Sequence, residues 1–351
     1  MKKALSILLA LSMTAALAGC GATGTSGSSA SSADTSSSEA ASSGESSAAT
    51  ADSASASDKT YTVGICQLVQ HAALDAATEG FQAALTEKLG DSVTFDLQNA
   101  QGDTATCATI MSGFVSSDVD LIMANATAPL QAAAAATDTI PVLGTSVTDY
   151  GTALDIDDWT GTTGKNISGT SDLAPLDKQA DMIKELVPDV KQVAILYCSA
   201  EANSVYQAEA IGGYLDAAGI AHKEYSAADS NEIQAVTTNA IADCDVVYIP
   251  TDNTMAASTE IVNNICAPAN IPVIAGEEGI CKGCGVATLS ISYYDLGYKT
   301  GEMAYDILVN GADPATMEVA FAPTTTNEYV ASRAEALGIT IPDSYVAIEE
   351  E

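Results

Sequence analysis

Polar clusters recur in this 351-residue chain, and each follows a short apolar run. Asn125-Ala126-Thr127 comes after Leu121–Ala124, and Asn203-Ser204 comes soon after Val193–Tyr197. Asp252-Asn253 follows Val246–Ile249, Glu277-Glu278 follows Val273–Ala275, and the stretch Ser168–Asp172 is polar throughout. Gln67 and His71 come just after the run Tyr61–Cys66, with no apolar reason to be there. Taken singly, a Ser, Thr, Asp or Asn in such a place caps a helix. Brought together, the same residues supply donors and acceptors for a small polar molecule.

Other chemistry finds less support. Cys281 and Cys284 have the C-x-x-C spacing, but no second cysteine pair or paired histidines accompany them. His71 and His222 are isolated from each other in sequence, so a structural zinc site lacks ligands. The pair sits in the Gly-rich stretch Gly276–Gly285 and reads as a loop carrying a local disulfide or free thiols. Loose metal contact and redox work stay open as alternatives. No G-x-S-x-G, H-E-x-x-H or phosphate-cradling G-x-x-x-x-G-K occurs, and a chain with 46 acidic residues makes adjacent acids by chance. The reading is therefore a binding protein and not an enzyme, with no cofactor and no metal.

The elements that must position these clusters alternate in type. Strand-like runs at 61–66, 93–97, 121–124, 141–143, 193–197, 221–225, 246–249, 273–275 and 286–290 are separated by helically spaced segments. Those segments are 104–115, 130–137, 176–187, 204–217, 232–242 and 255–266. The alternation predicts an α/β protein with parallel sheets covered by helices. Its length suits two lobes, and polar clusters at the carboxyl ends of strands place a cleft between them. The polar, Gly-rich Asp155–Gly164, before a restart at Asn166–Asp172, reads as a crossing between lobes. The lobes are expected at residues 59–170 with about 293–322, and 171–292 with about 323–351.

Before Lys59 the chain reads differently. Lys2 and Lys3 precede an uncharged run, Ala4–Ala16, too short to span a bilayer and laid out as a secretory signal over residues 1–19. Leu17-Ala18-Gly19-Cys20 resembles a bacterial lipobox, which implies a lipid on Cys20. The following stretch to Asp58 is almost wholly Ser, Ala, Gly, Thr and acids, the composition of a flexible tether. Twelve basic against 46 acidic residues exclude a nucleic-acid partner. The only arginine is Arg333, so a guanidinium clamp on an anionic ligand is not expected.

Motifs in order carry a family resemblance: VGICQLVQHAALDAATEGF, NATAPLQA, NISGTSD, LYCSAEANS, YIPTDNT, PVIAGEEG and ATLSISYYDLGYKTG. From Lys59 to Pro342 the chain resembles the substrate-binding lipoproteins of the tryptophan-binding-protein-like group of ABC transporters. The resemblance implies a two-lobed type I periplasmic-binding-protein fold. It also implies an extracytoplasmic, lipid-anchored monomer that captures a small, often aromatic, amino acid-like ligand for a permease and its ATPase. Carried over, the cleft residues are Gln67, His71, Thr127, Asp172, Asn203, Ser204, Asp252, Asn253 and Glu277.

The residue chemistry agrees. A zwitterion needs acceptors for its ammonium, which Asp172, Asp252 and Glu277 offer, with Asp252 the first choice. Asn203-Ser204 at a helix start offers donors for the carboxylate. Tyr206 or Tyr294 is expected beside the ligand side chain. Two other classes stay open: a sensory ligand-binding module of the same fold, and an extracytoplasmic redox protein using Cys281 and Cys284.

Overall fold

A computed structural model describes residues 59–350. The leader, Cys20 and the Ser/Ala-rich stretch to Asp58 lie outside the described residues. Among the described residues no helix is long and apolar enough to cross a membrane.

The strands in chain order are β1 (Tyr61–Gln67), β2 (Val93–Asn99), β3 (Leu121–Asn125), β4 (Val142–Val147), β5 (Ile167–Ser171), β6 (Gln192–Cys198) and β7 (Ala221–Ala227). Then come β8 (Val246–Ile249), β9 (Val273–Ala275), β10 (Ala287–Ser290), β11 (Ala320–Phe321), β12 (Thr326–Tyr329) and β13 (Val346–Ala347). They form two sheets, ordered β11-β5-β4-β3-β1-β2 and β13-β12-β10-β9-β8-β6-β7. Pairing is parallel throughout except for β10 against β12. Central strands such as β3 and β4 are buried on both faces, whereas the edge strands β2 and β7 carry the exposed polar residues.

The helices are α1 (Ala72–Leu89), α2 (Thr104–Ser116), α3 (Thr127–Ala136), α4 (Tyr150–Leu154), α5 (Leu176–Leu186) and α6 (Ala202–Ala217). They continue as α7 (Ile233–Asp243), α8 (Asn253–Ala256), α9 (Thr259–Cys266), α10 (Glu278–Cys284), α11 (Tyr293–Asn310) and α12 (Ala331–Leu337). Leu176, Ala180, Ile183 and Leu186 place one stripe of α5 into the second core. Both faces of each sheet are covered in this way, giving two α/β lobes.

The two longest helices meet at a seam of small residues. A Cβ on Gly297 of α11 would stand 1.9 Å from the Ala77 carbonyl oxygen, and one on Gly80 of α1 would stand 2.0 Å from that of Tyr294. Only glycine permits this approach. The contact brings the start of α11, with Tyr293, beside the loop that leaves β1.

Several local expectations need correction. Ile167–Ser171 is a fifth strand paired with β4, so the chain leaves the first sheet after Ser171 and not at Asp155–Gly164. A strand of Ser, Gly and Thr lacks apolar alternation; it holds because Gly169 lies tight against Gly144. The helix expected over 255–266 is broken at Ala257–Ser258 into α8 and α9.

Cys281 and Cys284 do not sit in a loop. They lie on α10, buried in the second core and present as free thiols, with no disulfide between them. Arg333 explains why so glycine-rich a segment is helical. Its guanidinium donates to the carbonyls of Cys281, Lys282, Gly283 and Gly285 at 2.8–3.3 Å, satisfying the end of α10. The only arginine of the sequence thus serves the fold and not the cleft.

Candidate functional site

The carboxyl ends of β1, β3, β4 and β5 face those of β6, β8 and β9 across a small polar cavity. Its walls include His71, Ser146, Thr148 and Asp172 from the first sheet's loops, and Asn203, Asp252, Asn253 and Glu277 from the second's. Tyr293, at the start of α11, closes one side. Two hydrogen bonds cross directly between the halves. His71 Nε2 lies 3.1 Å from Asn253 Oδ1, and Thr148 Oγ1 lies 3.4 Å from Thr251 Oγ1.

Most polar atoms here already have partners. Asp252 caps α8: its Oδ1 accepts from Met255 N at 2.8 Å and its Oδ2 from Cys198 N at 2.6 Å. Glu277 likewise caps α10 through the amides of Gly279 and Ile280. Asn203 Nδ2 donates to Thr251 O at 3.1 Å and to Glu201 Oε2 at 3.2 Å. These residues tie strand ends to helix starts, which shapes the wall.

Two buried atoms in the cavity walls have no partner among the described residues, and they are complementary. Asp172, only 4% exposed, uses Oδ2 to accept from Tyr293 Oη at 3.0 Å, while Oδ1 is unpartnered. Ser146 Oγ is unpartnered too. Ser146 also has φ +54°, the left-handed region in which a non-glycine residue is strained by about 1–3 kcal/mol. An acceptor and a donor left bare in one buried cavity cost stability unless a partner meets them.

The charges point the same way. Burial raises the pKa of Asp172, against opposing hydrogen bonds from Thr148 and Tyr293. Burial, with Glu201 nearby, pushes Asp252 up to about 8, and burial pushes Glu277 up to about 7. No lysine or arginine lines the cavity, and burial lowers the pKa of His71. Three buried carboxyls without a cation favour a ligand that brings a positive charge.

The structure gathers His71, Asp172, Asn203, Asp252, Asn253 and Glu277 around this cavity. Thr127 lies in an adjoining cavity, and Gln67 faces neither. Its Nε2 donates to Val69 O and Asp75 Oδ1, and its Oε1 accepts from Thr78, which fixes the loop after β1. Ser204 is buried under α6 against Asp252. Tyr294 is 39% exposed and stacks on Tyr298, and neither it nor Tyr206 lines the central cavity.

Sequence reasoning missed Ser146, Thr148, Thr251 and Tyr293. Thr251 and Tyr293 stand inside recognised motifs, but nothing in the run after Leu143 signals the left-handed turn that presents Ser146. Burial pushes the thiols of Cys281 and Cys284 up, the reverse of what a reactive pair needs. Among the described residues no group of three or more His, Cys, Asp or Glu is placed to hold a metal.

Known proteins resemble this chain over most of its length. A profile described as ABC transporter substrate binding protein matches residues 62–350. A "Tyrosine-binding protein" of Clostridioides difficile (strain R20291) is 38% identical over 258 residues, 72% of this chain and 74% of that one. The structure of an ABC domain in complex with L-Trp from Streptococcus pneumoniae superposes with TM-score 0.79 at 32% identity, covering 83% of this chain and 100% of the other. A ligand-free, open structure of a Clostridium difficile substrate binding protein with adhesive properties covers the same shares at 37% identity, with TM-score 0.64.

Proposed function

The chain belongs to the ABC transporter substrate-binding protein family, with a type I periplasmic-binding-protein fold, and on that premise we propose that it captures a zwitterionic aromatic amino acid between its lobes. Tyrosine and tryptophan are the first candidates, since similar proteins carry those names. One observation carries the reading. Asp172 Oδ1 and Ser146 Oγ are buried, complementary and unpartnered in the same cavity.

In this account the ammonium meets Asp172 Oδ1, and Ser146 Oγ donates to the carboxylate. Tyr293 holds Asp172 in place through the other oxygen, Oδ2. Asp252, the first choice from sequence, is occupied by backbone amides, so its part is to fix the loop between β8 and α8. A charge-assisted hydrogen bond in such a site is worth about 1.5–3 kcal/mol.

Capture proceeds by hinge closure. The chain crosses between sheets after β5, after β10 and after β11, three thin connections about which lobes of residues 59–170 with 293–322, and 171–292 with 323–351, can rotate. The better superposition on the L-Trp complex than on the ligand-free, open relative supports a closed arrangement here. Bonds such as His71–Asn253 form only when the halves approach.

The loaded, extracytoplasmic protein then delivers its ligand to an ABC permease driven by its ATPase, tethered by a lipid on Cys20. Calorimetry of ligand-stripped protein against a panel of amino acids tests the reading. Submillimolar binding of tyrosine or tryptophan supports it, and binding of no amino acid overturns it.

A further inference from the structure

We infer that Cys66 and Cys107 are an oxidisable pair, and that a disulfide between them staples α2 to the end of β1. The inference does not depend on which ligand the cleft takes. Among the described residues seven cysteines are free and buried. Three of their thiols donate to oxygen: Cys198 Sγ to Ala228 O at 3.7 Å, Cys244 Sγ to Tyr225 Oη at 3.8 Å, and Cys284 Sγ to Ile280 O at 3.4 Å. Cys66 and Cys107 instead hydrogen-bond each other, sulfur to sulfur.

The packing of the first lobe brings them together. Gly64 and Cys66 are two residues apart on β1 and share one face of the strand. Cys107, Met111 and Phe114 form the buried stripe of α2. A Cβ on Gly64 would stand 2.7 Å from the Phe114 ring, so strand and helix touch closely at that end. A helix that links parallel strands runs back along the sheet, so the stripe meets β1 again at Cys66 and Cys107. Both side chains lie in the first lobe's core and are fully buried.

The pair is asymmetric. The hydrogen bond donated by Cys66 holds the Cys107 thiol below its usual range, whereas that same bond, with burial, pushes Cys66 up. Cys107 is thus the attacking thiolate and Cys66 the resolving thiol. The oxidant is a disulfide, R–S–S–R, carried by a small thiol or a thiol oxidoreductase. Cys107 attacks one of its sulfurs, the R–S–S–R bond breaks, and one R–S⁻ leaves and takes up a proton. Cys66 gives up its proton and attacks the Cys107 sulfur of the mixed disulfide, and the second R–S⁻ leaves as a thiol. Two protein thiols are oxidised to one disulfide, and one disulfide is reduced to two thiols. Buried sulfurs meet the oxidant while the chain folds, or when the start of α2 lifts. In the extracytoplasmic setting proposed above, the product persists.

The bridge closes residues 67–106, with α1 and β2, into a loop, which stabilises the fold by restricting the unfolded chain. It also fixes α2 to the strand end that Gln67 already ties to Val69, Asp75 and Thr78. Neither cysteine lines the central cavity, so the staple acts on the lobe and not on the ligand contacts.

The test unfolds the reduced full chain and refolds it with reduced and oxidised glutathione. Remaining thiols are then alkylated under denaturing conditions and the peptides mapped by mass. The expected result is one peptide pair linked through Cys66 and Cys107, with Cys198, Cys244, Cys266, Cys281 and Cys284 alkylated. The oxidised protein should melt roughly 5 °C or more above the reduced one, and Cys107→Ala should abolish that difference. If Cys107→Ala does not fold, the wild-type map and melt decide the matter. A different dominant pair, alkylation of all seven cysteines, or equal melting temperatures for the two wild-type forms overturns the inference. No ligand enters these measurements, so their failure and a failure of amino acid capture are read separately.

Discussion

Asp172 Oδ2 accepts a hydrogen bond from Tyr293 Oη at 3.0 Å, linking the first crossing between the sheets to the second. Oδ1 of the same carboxyl has no partner among the described residues, and Asp172 lines the central cavity. One interaction thus joins the proposed ligand anchor to the start of α11.

Tyr293→Phe keeps the ring but removes the donor. It should weaken amino acid binding by roughly fivefold to a hundredfold, the equivalent of about 1–3 kcal/mol. The melting temperature should fall little, because the apolar contact survives. Calorimetry beside a thermal melt checks both, and unchanged affinity would show that Asp172 needs no positioning.

Ser146 combines strain with an unpartnered hydroxyl, so glycine separates the two. Ser146→Gly relieves the left-handed backbone at φ +54° while deleting the donor. The ligand-free protein should melt at the same or a higher temperature, and affinity should fall by roughly tenfold. A variant that bound as tightly as wild type would remove Ser146 from the site.

The raised carboxyls set a pH dependence of stability. Burial pushes Glu277 up to about 7 and Asp252 up to about 8, while unfolded-chain carboxyls titrate near about 4. Between those values the folded state holds protons that the unfolded chain has released. The contribution of these two groups to stability is therefore fully present below about pH 4 and is lost as pH rises through about 7 to 8. Glu277→Gln should flatten the fall in melting temperature between acid and alkaline pH. General acidic repulsion weighs on both proteins alike, so identical slopes would mean that Glu277 does not titrate as described.

Arg333 holds the end of α10 through four carbonyls. Arg333→Gln leaves several of them unsatisfied and should cost about 1–3 kcal/mol, a drop of several degrees in melting temperature. The thiols of Cys281 and Cys284 should become more reactive as α10 loosens, with ligand affinity nearly unchanged. Thiol labelling in native buffer measures this. Wild-type rates in the variant would contradict the role given to the guanidinium.

The fold was legible because its signals are periodic. Apolar runs at β1, β3, β6 and β8 with helical stripes between them suffice to predict two α/β lobes. β5 escaped because Ile167–Ser171 is polar and glycine-containing, held by close backbone packing rather than by side-chain pattern. α10 escaped because its stability comes from Arg333, far along the chain. The candidate site was half legible. Polar clusters at strand ends mark the right loops, yet composition does not say which carboxylates are spent on caps. Asp252 and Asp172 look equivalent in sequence; only the geometry shows the first satisfied by amides and the second half bare.

The central claim is that Asp172 receives the ammonium of an amino acid, and one substitution addresses it. Asp172→Asn preserves size and the partner for Tyr293 while removing the charge. Titration of ligand-stripped protein with L-tyrosine should show affinity lower than wild type by roughly ten- to a hundredfold. The ligand-free melting temperature should be unchanged or raised, since a buried charge has been removed. Wild-type affinity in Asp172→Asn would contradict the account.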